Sequence, residues 1–316
     1  MFQLLYLRFT QPRADPTAFA AVASQARALL ANQMASPDVV FNQSILAALS
    51  GNSPRLRPQT PATVDQWDLA KSLAFYKARF ADASNFTFVF VGSFTPDTIR
   101  PLVETYIASL PATHAHETWR DPGITLPSGV IEKTVEKGIA PKSEVAIVFS
   151  GPFEYDDPHA LALRTVTRVL ESRLFDTIRQ ELGGTYSITA DPGIEKFPRP
   201  QYVVRINWTC DPAQTDALVR RVFDEIASLR ARPLSAAQMP FIRENLLRDF
   251  ERNSQDNGYF LNEIARRYKN GDSENLAAIA NMPDRIKMLT AAEVYAAAHA
   301  YLDTGRYLKV ILMPQR

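Results

Sequence analysis

The stretch Asp156–Ala190, DDPHALALRTVTRVLESRLFDTIRQELGGTYSITA, decides how the chain is read. Asp157 suits an N-cap and Pro158 the first helical position. Leu163, Val166, Leu170 and Leu174 then recur at spacings of three and four, which predicts one apolar helix face. Gly183 ends that helix as a left-handed C-cap would. Beyond the break, Tyr186, Ile188 and Ala190 alternate with Ser187 and Thr189, the pattern of a half-buried strand. A helix end and a strand start joined by Gly183-Gly184 lie close in space. Arg179, in the penultimate turn, and Tyr186, just past the break, could therefore be presented together at one rim. The plainer alternative is that Arg179 offsets the negative helix end while Tyr186 packs in the core.

Outward from this stretch, composition narrows the function classes. The chain has 316 residues, 46% apolar and 22% charged, enough for one large or two ordinary globular domains. A net charge of +1 supplies no global field for nucleic acid. No apolar run reaches the ~20 residues of a membrane span. The single cysteine, Cys210, follows Asn207-Trp-Thr at a strand end and reads as a buried inert thiol. Four histidines are present: His114, His116, His159 and His299. None forms His-x-x-Glu-His, whose spacing puts two imidazoles on one helix face. His114-Ala-His116-Glu117 comes nearest to a metal site, but i, i+2 spacing splays the rings and no third ligand stands nearby. His159 reads as a solvated first-turn residue and His299 as a packed or rim histidine.

Patterning predicts strands over 2–10, 86–91 (FTFVFV), 130–137, 144–150, 186–191, 201–209 and 307–313. It predicts helices over 16–31, 37–49, 63–80, 96–110, 157–182, 212–229, 235–252, 259–269 and 284–302. Residues 192–200 read as an irregular loop, and 111–129, rich in Pro, Gly and polar residues, as a linker. Tyr202, Val204, Ile206 and Trp208 should share one strand face. The order strand, Asp-Pro, helix, helix occurs twice, from 2–10 and from 202–209. Helix-then-strand also recurs, at 63–91 and 284–313. The second copy carries about 70 further residues upstream of its matching strand. The expectation is therefore two related domains, the first lacking its front part, which would lie before Met1 in the natural chain or be supplied by another chain.

The run Arg179-Gln-Glu-Leu-Gly-Gly-Thr-Tyr186-Ser resembles the arginine/tyrosine motif in the last domain of the pitrilysin/insulinase family of zinc peptidases. LLYLRFTQPRADPTAF and YKARFADASNFTFVFVGSF resemble the third domain of bacterial members, and 130–316 the complete fourth. The resemblance implies an α+β fold of two related domains. Each would be an antiparallel or mixed sheet with helices on one face, the first truncated: residues 1–110, a linker over 111–129, then 130–316. It implies the non-zinc-binding half of a metalloendopeptidase, closing a chamber over a peptide substrate. The zinc would be held by the missing N-terminal half or by a partner subunit. Tyr186 would stabilise the oxyanion and Arg179 hold substrate backbone, with Thr185 and Ser187 shaping the turn. A periplasmic setting follows by analogy. The alternatives are a catalytically silent scaffold that binds a partner and an unrelated module that takes peptides on a sheet edge.

Overall fold

The computed structural model describes residues 1–115, 117–182 and 188–315, without the side chains of 178–182. Helices α1 (Phe2–Thr10), α2 (Pro16–Gln33), α3 (Pro37–Leu49), α4 (Pro61–Val64), α5 (Leu69–Phe80) and α6 (Pro96–Tyr106) come first. Strands β1 (Val130–Glu136) and β2 (Ser143–Pro152), helix α7 (Asp157–Leu182), and strands β3 (Ile188–Glu195) and β4 (Gln201–Cys210) follow. The chain then runs through α8 (Thr215–Ala231), α9 (Gln238–Asn253), α10 (Asn257–Lys269), α11 (Ala277–Ala280), α12 (Met282–Met288) and α13 (Ala291–Tyr301) to β5 (Tyr307–Met313). These elements make two units. One contains Met1–Gln33, Gln59–Arg120 and Ser254–Leu276; the other contains Met34–Pro58, Asp121–Asn253 and the chain from Ala277.

The larger unit is built on a sheet of strand order β1-β5-β2-β4-β3. The β1–β5 pair is parallel and the other pairs antiparallel, so the sheet is mixed and the chain is α+β, as expected. Central β2 reads Val145-Ala-Ile-Val-Phe149, apolar without alternation, and all five residues are fully buried. Such a run belongs to a strand covered on both faces. Val145, Ile147 and Phe149 join β3, β4, α7, α8 and α13 in the main core. Ala146 and Val148 face the other way, with Leu308, Val310 and Leu312, against Phe41, Ile45 and Ala48 of α3. The β4 face is as patterned: Tyr202, Val204, Ile206 and Trp208 are all buried, and so is Cys210.

The α7 stripe is also as patterned, with Leu163, Val166, Leu170 and Leu174 at 0% exposure. Its cap is one residue earlier than expected. Asp156 Oδ1 accepts the backbone N–H of His159 at 2.7 Å, the N-cap bond to the third helical residue. Asp157 instead pairs with Arg285 of α12 at 2.9 Å. Ordinary side-chain chemistry allowed either aspartate to cap; the tertiary ion pair claims the second. Strand β3 also extends through Glu195, into the segment expected to be irregular, because β4 supplies backbone partners as far as Gln201.

Two expected strands of the smaller unit are corrected. Residues 2–10 form α1, with Phe2, Leu5, Tyr6 and Phe9 turned inward at helical spacing while Leu4 and Leu7 stay exposed. Residues 86–91 form no ladder among the described residues. Phe86 is extended (φ −109°, ψ 143°), and its ring lies 4.9 Å from that of Phe9. Phe88 also packs on Phe9, and Phe90 stacks on Phe2 at 5.3 Å. Alternation therefore puts three rings on one side, but a strand also needs a neighbour for its N–H and C=O groups. The helix expected over 63–80 is split into α4 and α5 by Asp68, whose carboxylate caps α5 at the N–H of Lys71. In the same way Thr290 and Glu293 form a capping box that separates α13 from α12.

Residues 111–115 have no helix or strand, and Asp82 anchors them. Its carboxylate accepts from Thr113 N at 2.9 Å, Thr113 Oγ1 at 2.7 Å, Ala115 N at 2.9 Å and Ser84 Oγ at 2.6 Å. Hydrogen bonds from the Ser84 and Thr113 hydroxyls, foremost, hold this carboxyl well below the usual carboxylate range.

Two outcomes follow for the fold. Leu170→Ala should lower unfolding free energy by about 2–5 kcal/mol in urea denaturation, because it opens a cavity in a fully buried stripe. For Asp82, a depressed folded pKa means stabilisation present above the unfolded value near ~3.9 and lost as pH falls below it. The gap in unfolding midpoint between wild type and Asp82→Asn should stay constant from about pH 8 to 5 and close below about pH 4.

Candidate functional site

The candidate pair belongs to the junction between α7 and β3. Arg179 lies within α7, near its end at Leu182. Its side chain, and Tyr186 with Thr185 and Ser187, lie outside the described residues. What is described is the frame that holds each end of the junction.

On the helix side, Leu170 and Leu174 are sunk in the main core. One turn from the helix end, Thr177 Oγ1 donates to Glu225 Oε1 of α8 at 3.2 Å. Arg173 Nη1 stands 4.0 Å from the other oxygen of the same carboxylate. On the strand side, Ile188 and Ala190 are buried and lie opposite Trp208 and Ile206. Strand β3 is the outer strand on its side of the sheet. Its Ala190 N–H donates to Glu171 Oε1 of α7 at 3.3 Å. Glu171 Oε2 lies 3.8 Å from Arg168, and Arg168 reaches Asp249 of α9 at 3.3 Å. One glutamate thus ties the helix to the strand edge, and one arginine ties it to the next helix. Pro192, two residues on, has no N–H to offer at that edge. Both flanks of residues 183–187 are thus carried by packed elements.

Metal-ligand side chains do come together among the described residues. One group brings three ligand atoms within 4.8 Å of one another: Glu154, Asp156 and His159. His159 Nδ1 is 2.8 Å from each oxygen of Asp156, and Asp156 is already the cap of α7. The Glu154 side chain is 74% exposed and lies 3.5 Å from His159 Nε2. One imidazole and two carboxylates, with the shared aspartate committed to the helix end, do not fit the closed or three-ligand sets typical of protein zinc. His159 thus does more than the solvated first-turn residue of the sequence reading. His114 has a φ of +54° on an exposed segment, and His116 lies outside the described residues. His299 is a packed rim histidine, its Nε2 2.6 Å from the carbonyl of Arg230 and its ring 4.7 Å from Tyr295. The frame residues Glu171, Glu225 and Arg168 were not singled out from sequence. Only their place on the polar side of the α7 and α8 periodicity marks them, which is no distinguishing signal.

A five-stranded mixed sheet with helices packed on both of its faces makes the larger unit α+β. The chain belongs to the family described as the peptidase M16 inactive domain, which matches residues 66–246. It is 25% identical over 307 residues to a "Zinc protease PQQL-like" protein of Arabidopsis thaliana, covering 89% of this chain and 32% of that one. Its fold is similar to the periplasmic protease PqqL of Escherichia coli, with TM-score 0.82 and 19% identity, over 99% of this chain and 34% of PqqL. It is also similar to a peptidase M16 inactive domain of Pseudomonas fluorescens, with TM-score 0.79 and 17% identity, over 100% of this chain and 74% of that one. The chain therefore spans about a third of the length of the zinc protease relative it matches. The resemblance to the C-terminal half of a pitrilysin-family zinc protease holds. No described helix is long and apolar enough to cross a membrane.

Glu171→Ala should lower stability by about 0.5–1.5 kcal/mol in urea denaturation, the net worth of one hydrogen bond. Glu171→Gln, whose amide oxygen still accepts from Ala190, should lose less than half of that.

Proposed function

We propose that this chain is the non-zinc-binding half of a zinc metalloendopeptidase. It would close the proteolytic chamber over a peptide and contribute Arg179 and Tyr186 to the reacting centre. The observation that carries this reading is the run Arg179–Tyr186, standing at the α7–β3 junction of a chain that belongs to the inactive-domain family. In this reading the zinc is held by the N-terminal half, since His-x-x-Glu-His does not occur in this sequence.

In this reading the chain's own work is electrostatic and positional. When a peptide carbonyl is attacked, negative charge builds on its oxygen, and the phenol O–H of Tyr186 donates to that oxygen. The guanidinium of Arg179 donates to a neighbouring substrate carbonyl and keeps the phenol oriented. Such donors accelerate the reaction because they are fixed before charge develops. The ties of Glu225 to Thr177 and of Glu171 to Ala190 support this role, since they hold the part of α7 that leads to Arg179 and the strand that follows Tyr186. Thr185 and Ser187 shape the turn.

The same reading assigns 1–110 to the back part of a third family domain, 111–129 to a linker and 130–316 to the fourth domain. It is supported by the extended, aromatic-faced segment 86–91, which has the side-chain alternation of a strand and no ladder among the described residues. A periplasmic setting is proposed on the likeness to PqqL, which is described as periplasmic.

The test is Tyr186→Phe in the intact protease. The expected result is a loss of about 2.7–4 kcal/mol of barrier stabilisation, read as a fall in kcat of roughly a hundredfold to a thousandfold. KM should change little. Turnover equal to wild type would overturn the role and favour a silent scaffold. The 316-residue chain alone should neither bind zinc in equilibrium dialysis nor cleave peptides.

A further inference from the structure

An arginine-lined cavity lies at the opposite end of the larger unit's sheet. The α7–β3 junction adjoins Ile188, which pairs with Trp208, which in turn pairs with Val145 at the start of β2. At the other end of β2, Gly151 pairs with Tyr202. There a cavity of about 210 Å³ is lined by Gly151, Gln201, Arg199, Arg306, Thr125 and Leu126, among others.

Its two charged lining side chains are both arginines. Arg199 donates from Nε to Asp121 Oδ2 at 2.7 Å. That hydrogen bond, foremost, holds the Asp121 carboxyl below its usual range, so the pair is neutral overall. The other guanidinium N–H groups of Arg199 are not spent on Asp121. Arg306 is different: its Nε is buried and has no hydrogen-bond partner among the described residues. A buried charged donor without an acceptor is costly to leave unmet, so its environment asks for an anion. The neighbouring Tyr202 phenol does not supply one, since burial pushes it up to about 12.

The floor is kept open by a glycine. A Cβ at Gly151 would stand 3.5 Å from Arg306 Nη1 and 3.0 Å from the Tyr202 ring. Any side chain there would occupy the space beside the guanidinium. The cavity suits a group the size of one tetrahedral or planar oxyanion. Two guanidinium forks, one with a free buried donor, match the oxygens of such a group.

We propose that this pocket binds a small oxyanion, phosphate or carboxylate, between Arg306 and Arg199. The site uses no residue of the Arg179–Tyr186 junction and stands whether or not the chain acts in proteolysis. A carboxylate would make it an anchor for an acidic side chain or a peptide end; phosphate would make it a site for a free anion.

The test is calorimetric titration and thermal unfolding of the full chain at constant ionic strength. The probes are inorganic phosphate and acetate, with chloride as the reference salt. The expected result is a saturable heat, and a Tm that rises with probe concentration, for at least one probe. Arg306→Gln should weaken binding at least tenfold, and so should Gly151→Ala, which keeps both arginines. Arg57→Gln, an exposed control, should bind as wild type does. Preference for phosphate or for acetate separates the two sources. No saturable response with either probe in the folded wild type, or equal affinity in wild type and both pocket variants, would overturn the proposal and leave the cavity to water. If Arg306→Gln does not fold, Gly151→Ala and Arg199→Gln decide the outcome.

Discussion

The double burial of β2 is the constraint on which the rest of the larger unit depends. Five consecutive apolar residues, Val145 to Phe149, have no exposed face at all. Each contributes through contact on one side or the other, so the sheet must be covered twice. The long helix α7, with α8 and α13, supplies one cover and α3 the other. Full burial of a Val, Ile or Phe side chain is worth about 1.5–3 kcal/mol, as an upper figure. This sum outweighs any single polar contact in the molecule. Strand β2 therefore sets the plane against which α7 lies, and α7 sets where its own C-terminal end arrives.

From that arrangement the candidate site inherits its support. The helix stripe Leu163, Val166, Leu170 and Leu174 fixes the axial position of α7. Glu171 and Glu225 then act as two side-chain ties, one to the outer strand and one to the next helix. Neither tie is strong alone, because both carboxylates are partly solvated. Their effect is geometric: they set the two ends of a short connection whose apolar framework is already rigid. The edge of β3 is partly spent in the same act, since Glu171 occupies the Ala190 N–H and Pro192 has none. That is one of the ordinary devices by which an outer strand avoids pairing with other chains.

Much of this was legible in the residues, for definite reasons. The α7 stripe, the alternating face of β4 and the buried Cys210 were all readable because burial follows from period and type. The segments at 2–10 and 86–91 were not. Phe2, Leu5, Tyr6 and Phe9 satisfy a helical period, while the apolar density of the same stretch also suits a strand. A helix closes its own hydrogen bonds and a strand cannot, so 2–10, whose apolar residues also fit the helical period, winds up without a ladder among the described residues. At 86–91 alternation does organise Phe86, Phe88 and Phe90 against Phe2 and Phe9, with no ladder among the described residues. Asp156 and Asp157 show the same limit on a smaller scale. Either could cap α7, and the choice between them was made by Arg285, more than 120 residues away in sequence.

The fold class, the long helix with its inward stripe, and the type and spacing of Arg179 and Tyr186 could be read from the sequence alone. The stripe and the spacing are local properties of period and residue chemistry, whereas the fold class followed from the family resemblance. Which segments found backbone partners, which aspartate capped α7, and that Arg199 and Arg306 line one cavity with Gly151 became visible only in the folded chain. Those outcomes depend on contacts between residues far apart along the chain. Nothing in a one-dimensional pattern records the distance between two guanidinium groups separated by more than a hundred residues.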